Sequence, residues 1–356
     1  MKCHIFAVLF VLINFHWSRA STQAMSQALS QQYSISTQLI LNNLPTQNDT
    51  FGAVAASPTK QYQFHWTRDA ALTWQALLKV YKTSNQARLR SDILRRFEAW
   101  VKFEKRAVKN AIAAGLSQGE PKFLLNALPY TGEWGRPQND GPALRSLVMT
   151  EWAFQLIQDG RIEFVKNEMY RPELPANAII KSDLEFTART WQEASFDPWE
   201  EVKGLNYYSL AMQRKSLLLG AELAKQLNDP AAADFYLKTA ARMLSELKLF
   251  SDPNRGYVVA TRKQVDGWTH KTSQLDAAVV LAAIQGPMDL EYMHYEIKTL
   301  QKTVDELENA FRRIYNVNRG QQTPVIGRYP EDVYDGFGFS GGNPWFLTTH
   351  AYAEYY

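Results

Sequence analysis

Cysteine is all but missing from these 356 residues: Cys3 stands alone. No intramolecular disulfide can form, so cohesion must come from buried apolar surface. An excess of one charge is missing too, with 39 Lys and Arg against 36 Asp and Glu. That leaves no basic footprint for nucleic acid and no polybasic patch for a membrane surface. No Ser/Gly- or Pro-rich linker divides the chain, so a single domain is expected. A long apolar run occurs once, Ile5 to Phe15 in "MKCHIFAVLFVLINFHWSRA", and it is short for a membrane span. With Lys2 before it and Ser18-Arg19-Ala20 after it, residues 1–20 read as a secretory signal peptide, leaving 21–356 as the mature chain. Its removal would take Cys3 away and leave no membrane anchor. The sequon Asn48-Asp49-Thr50 is a candidate glycan site.

Aromatic residues are abundant: Trp 10, Tyr 17 and Phe 18. Many must be core, and those in a cleft would suit the apolar C–H faces of sugars. Apolar residues recur at helical spacing in ten segments. These begin with 25–44, 68–82, 92–114, 142–159 and 174–191. They continue with 207–227, 231–249, 272–284, 300–315 and 344–356. No run alternates like a strand. Glycine, proline, aromatics and charge gather between the helices, where long loops on a rigid scaffold commonly carry function. Successive helical hairpins with such loops suggest an all-α toroid with a pocket at one mouth, or a solenoid of helix pairs.

Four stretches combine Trp or Tyr with Arg and a carboxylate beside a helix. They are "YQFHWTRDAALTW", "GEPKF…YTGEWGRPQNDGPALR", "FDPWEEVKGLNYY" and "GRYPEDVY…GGNPWFLT". In "DPWEE" alone, acidic residues at a helix start would be the ordinary explanation. Arg68-Asp69 at a helix start reads equally well as a cap, and a lone Trp is more often core than ligand platform. His65 is too isolated to suggest a metal ligand, and neither metal nor organic cofactor is called for.

In this order and spacing, the four stretches resemble the fungal glucoamylases, inverting glycoside hydrolases that release glucose from non-reducing ends of starch-like chains. The resemblance runs from about Leu39 to the last residue. It implies an (α/α)6 toroid, of which this chain supplies about ten of twelve helices, and a monomer acting on starch- or glycogen-like α-glucans after secretion or delivery to a vacuole. Glu200 matches the general acid. Glu201 matches a residue that hydrogen-bonds the sugar in the next subsite, and as a neighbouring anion it would favour the protonated acid. Asp197 matches the first residue of a "D-x-W-E-E" signature. Residues at i and i+3 of a helical turn lie on one side of the chain, whereas an inverting base must face its acid across the sugar, roughly 6.5–9.5 Å away. Asp197 is therefore expected to assist or orient.

The resemblance gives Arg68 and Asp69 the terminal glucose hydroxyls, with Arg328 as a second arginine there. Forked donors suit hydroxyl pairs that would be costly to leave unpaired. Tyr62, Trp66 and Trp199 would wall the pocket and Trp134 would pack over the substrate. Asp332 and Tyr334 would form its outer rim. The family's base lies in a later "S-x-x-E-Q" stretch that has no counterpart here. The last residues read as an unfinished helix, so the first and tenth helices are expected to expose apolar faces and activity to be impaired. A glucan-binding protein without turnover, or a gene fragment, is the alternative.

Overall fold

The computed structural model describes residues 3–47, 49–286 and 290–356, so Asn48 of the sequon lies outside the described residues. Helix α1 (Cys3–Asn42) runs unbroken through the expected cleavage point. Strand β1 (His65–Trp66) leads directly into α2 (Thr67–Thr83), followed by α3 (Ala87–Ala113), β2 (Lys122–Phe123) and α4 (Asp140–Gln158). A single turn, α5 (Ile162–Phe164), passes into a π-helical turn at Val165–Met169, and then comes α6 (Ile179–Thr190). Strands β3 (Ser195–Phe196) and β4 (Val202–Asn206) precede α7 (Tyr207–Gln226) and α8 (Pro230–Lys248). Strand β5 (Thr261–Gly267), α9 (Ala277–Gln285), α10 (Leu290–Ile314) and α11 (Phe346–Tyr355) complete the chain.

The long helices alternate between two rows. Helices α2, α4, α7, α9 and α11 pack side by side in that order as an inner arc, while α3, α6, α8 and α10 lie outside it. Burial follows from position. Every residue from Asp140 to Thr150 of α4 and from Tyr207 to Arg214 of α7 is buried, as a helix covered on all sides must be. Helix α3 instead buries one stripe, including Ile93, Phe97, Trp100, Glu104, Ala107 and Ala111, and exposes charges such as Arg95, Lys102, Arg106 and Lys109 on its other face. Its stripe meets an aromatic core in which Phe97 stacks on Trp152 at 4.2 Å and Trp74 on Trp100 at 5.6 Å. Such ring pairs add roughly 0.5–1.5 kcal/mol each beyond area burial.

Among the described residues ten long helices are present, as the periodicity indicates, but five begin elsewhere: α1 at Cys3 rather than Met25, α3 at Ala87 rather than Asp92, and α6, α9 and α10. Pro172 and Pro175 lack the amide a helix interior needs, so α6 starts at Ile179 rather than Leu174. Asp276 caps α9 by accepting from the Ala278 amide, which ends the loop five residues later than Thr272. Helix α10 reaches back to Leu290, ahead of Leu300. The expectation of no strands is also corrected. β1 pairs antiparallel with β2, and β3, β4 and β5 form an antiparallel sheet. Strands of two residues are too short to show alternation in sequence. As expected, apolar side chains are exposed on α1 (Met25, Leu29, Leu39) and α11 (Phe346, Leu347). Among the described residues no helix is long and apolar enough to cross a membrane.

Candidate active site

The inner helices bring their N-terminal ends to one mouth. Arg68 and Asp69 lie in the first turn of α2, Asp140 begins α4, and Asp276 caps α9. Helix N-termini carry partial positive charge, so acidic groups collect there at low cost. Between these ends lies a cavity of about 690 Å³. Tyr62, Trp66, Arg68, Asp69 and Trp134 line one part of it, and Trp199, Glu200, Glu201, Arg328 and Tyr334 line another. Ten of the twelve residues singled out in sequence thus share one hollow. Asp197 and Asp332 do not line it.

Glu200 stands on the turn between β3 and β4, not on a helical turn. Its amide donates to the Asp197 carbonyl at 2.9 Å, and the Asp197 amide closes the hairpin onto Val202 O at 2.9 Å. Glu200 itself takes the left-handed conformation, φ +67°. A residue with a Cβ holds that conformation at a cost of roughly 1–3 kcal/mol, which the surrounding contacts must offset. Those contacts all converge on one carboxylate oxygen. Trp66 Nε1 and Gln138 Nε2 each donate to Oε1 at 2.9 Å, and the Arg68 guanidinium lies 3.6 Å from it. Among the described residues Oε2 accepts no hydrogen bond, which leaves it as the oxygen able to carry a proton.

Asp197 holds this turn together. Its Oδ1 accepts the amides of Glu201 (2.8 Å) and Val202 (3.2 Å), and Oδ2 pairs with Lys271 at 2.9 Å. Both oxygens are thus committed, which suits orientation and leaves none to activate water. Glu201 lines the cavity and is held by protein groups as well. Arg328 (2.8 Å) and the Tyr329 hydroxyl (2.7 Å) hold its two oxygens, and Lys271 lies 3.2 Å away. Asp332 is buried rather than on the rim, gripping Arg328 at 2.7 and 2.8 Å and so fixing its fork. Arg68 is fixed in the same manner by Asp140 at 2.7 Å. Burial works against its charge, but Asp140, Glu200 and Asp69 hold the guanidinium pKa above its usual value. Asp69 moves up, driven by burial and helped by Glu200, against the pull of Arg68.

Sequence reasoning passed over Gln138, Asp140, Lys122 and Lys271. The first two sit inside the quoted "GRPQNDGP" and Lys122 inside "GEPKF", so position in a recognised stretch was the available signal. Lys122 Nζ lies 3.5 Å from the Trp134 ring centre and 4.2–4.6 Å from those of Tyr130, Phe64 and Trp66. Burial lowers its pKa, partly offset by Glu200. An ammonium so enclosed binds the rings by cation–π attraction and holds the Trp66–Trp134 wall in place. His65 faces away from the cavity: its Nδ1 accepts the Val54 amide and its Nε2 meets Glu104 at 2.8 Å. Among the described residues no cluster could hold a metal ion.

Behind Trp199, Asp276 Oδ1 accepts the indole Nε1 at 2.8 Å. Burial pushes the Asp276 carboxyl up to about 6, opposed by Lys271, the Ala278 amide and Trp199. A carboxyl raised on folding contributes stability that is complete below its ordinary 3.8 and lost as pH rises through about 6. Asp276→Asn keeps the Oδ1 acceptor and removes that titration. Chemical denaturation is expected to show unfolding free energy falling less steeply between about pH 4 and 6 in the variant. An unchanged slope would contradict this assignment.

Comparison with known proteins places the same features in a family. The model for "Glycosyl hydrolases family 15" matches residues 31–356. Glucoamylase 1 of Rhizopus oryzae is 34% identical over 93% of this chain, which spans 54% of that protein. A probable glucoamylase of Schizosaccharomyces pombe is 34% identical over 94% of this chain and 72% of its own length. The structure of the Saccharomycopsis fibuligera glucoamylase superposes with TM-score 0.78 at 27% identity, covering 92% of this chain and 71% of that one. The two rows of helices are therefore those of an (α/α)6 toroid.

Proposed function

The chain belongs to glycosyl hydrolase family 15, and from that premise we propose that it is a glucoamylase-type hydrolase. In this reading the non-reducing end of a starch- or glycogen-like α-glucan enters the cavity, and glucose leaves by inverting acid/base hydrolysis. Glu200 is the acid. The observation that carries the proposal is the one-sided solvation of its carboxylate, with two donors on Oε1 and none on Oε2. Protonated Oε2 gives its proton to the glycosidic oxygen as the C1–O bond breaks, and water adds to C1 from the opposite face, releasing its own proton to bulk solvent. Arg68 and Asp69 take the hydroxyls of the terminal glucose, Arg328 stands as a second fork, and Trp66 and Trp134 supply ring faces. A protein of the secretory route, extracellular or vacuolar, fits the N-terminal stretch.

Proton NMR of maltotriose digestion tests this reading. β-Glucose is expected to appear first and to mutarotate afterwards; initial α-glucose would remove the inverting mechanism. One observation favours a second reading, glucan binding without turnover. The cavity's carboxylates among the described residues are Asp69, Glu200 and Glu201. Glu201 is fully engaged and Asp69 adjoins Arg68, so none is assigned to activate water. Maltose binding with no glucose release at all would establish that reading.

A further inference from the structure

Behind the turn that carries Glu200 lies an ammonium to which neither substrate contact nor proton transfer has been assigned. Lys271, in the loop between β5 and α9, is buried and meets three carboxylates. Asp197 Oδ2 lies at 2.9 Å, Glu201 Oε2 at 3.2 Å and Asp276 Oδ2 at 3.5 Å. The centre of the Tyr329 ring is 3.9 Å away, and Arg328 faces Glu201 while Asp332 grips that arginine. Burial works against the ammonium charge, but Asp197, Asp276 and Glu201 hold its pKa above the usual value. The loop is fixed on both sides of Lys271. Gly267, at φ +85°, lets β5 approach Glu201 O, where a Cβ would lie 2.1 Å from that oxygen. The Trp268 amide then donates to the same carbonyl at 2.9 Å. Beyond Lys271, the Ser273 amide and hydroxyl donate to Glu331 at 2.7 and 3.0 Å.

Each carboxylate on Lys271 in turn holds a group beside Glu200. Asp197 Oδ1 accepts the amides of Glu201 and Val202, Asp276 Oδ1 accepts the Trp199 indole, and Glu201 pairs with Arg328. Glu200 keeps a left-handed φ of +67° between these neighbours, so both of its flanks need support. Resting on the glucan-hydrolysis reading above, we propose that Lys271 is a positioning residue, which holds the acid-bearing turn from behind through Asp197, Glu201 and Asp276. Without its charge, three buried carboxylates would repel one another or take up protons, and the turn would loosen. The sugar forks have their own anchors: Asp332 keeps Arg328 and Asp140 keeps Arg68. Orientation of the acid should therefore suffer while sugar binding persists.

Two measurements on the whole chain test this role: steady-state glucose release from maltotriose and peptide-resolved amide hydrogen exchange. Lys271→Met is expected to lower kcat about 10–100-fold with KM near that of the parent, the scale of a small misplacement of a reacting group. Lys271→Arg retains the cation and is expected to restore most of kcat. In Lys271→Met the Glu201 and Val202 amides are expected to exchange about tenfold faster, while Leu147 and Val148 in the core of α4 keep their parent rates. If Lys271→Met does not fold, Lys271→Gln combined with Asp276→Asn removes a buried negative charge along with the cation and carries the same test. A loss confined to KM, no rescue by arginine, unchanged exchange at the turn, or equal acceleration in α4 would each overturn the proposal. A folded parent that releases no glucose would remove the hydrolytic reading instead, and exchange at the turn would then decide by itself whether Lys271 holds it.

Discussion

Glu200→Gln is expected to lower glucose release from maltotriose by about 10²–10⁴-fold, the usual contribution of a positioned acid. Maltose affinity is expected to stay near that of the parent. The reason lies in the contacts of Oε1. Trp66 Nε1 and Gln138 Nε2 are both donors, and a glutamine carbonyl can accept from them as the carboxylate does. The amide therefore keeps the side chain in place and removes only the transferable proton. Arg68, 3.6 Å away, loses one weak ionic contact but retains Asp140 at 2.7 Å, so the hydroxyl-binding fork stays put. Glucose release by the variant at more than a tenth of the parent rate would take Glu200 out of the acid's role. A parallel fall in maltose affinity would mean that the carboxylate serves in binding.

Arg145→Met is expected to cost about 3–5 kcal/mol of unfolding free energy, the range for breaking a buried ion pair from one side. Arg145 on α4 is wholly buried and reaches Asp183 through two bonds of 2.7 Å and Glu104 through one of 3.0 Å. Methionine fills similar volume but leaves two carboxylates in the core without their cation. The damage would reach the site, because Glu104 also holds His65 and the Trp100 indole, each at 2.8 Å. His65 is the strand neighbour of Trp66, whose indole supports Glu200. Urea denaturation at pH 7 checks the size of the effect. The deficit is expected to shrink toward acid pH, as the stranded carboxylates take up protons. A loss below about 1 kcal/mol would mean that the network relaxes around the gap.

Much of the fold was legible because helices declare themselves locally. The stripe in α3 repeats every three to four residues, and ten such stretches with loaded loops are enough to suggest hairpins around a mouth. Inner helices such as α4 are less telling, since a segment buried all round has no stripe to mark its facing side. The two-residue strands had no local signal, and their pairing arises only when distant loops meet.

The chain alone established which residue types were available for sugar chemistry and in what order: Arg68 and Asp69, Trp134, the Trp199–Glu201 triplet, then Arg328. It did so because short dense stretches of aromatic, arginine and carboxylate groups stand out from ordinary helix connections. Only the tertiary structure decided which carboxylates are free. Asp197, Glu201 and Asp332 look as available as Glu200 in one dimension. In space Lys271, Arg328, Tyr329 and backbone amides occupy them, while Glu200 keeps an oxygen without a partner. For Asp197 and Glu201 the deciding cations, Lys271 and Arg328, lie dozens of residues away, whereas Asp332 is held by Arg328 only four residues before it. Hydrogen bonds and charge pairs are satisfied by whatever folding brings within 3 Å or so.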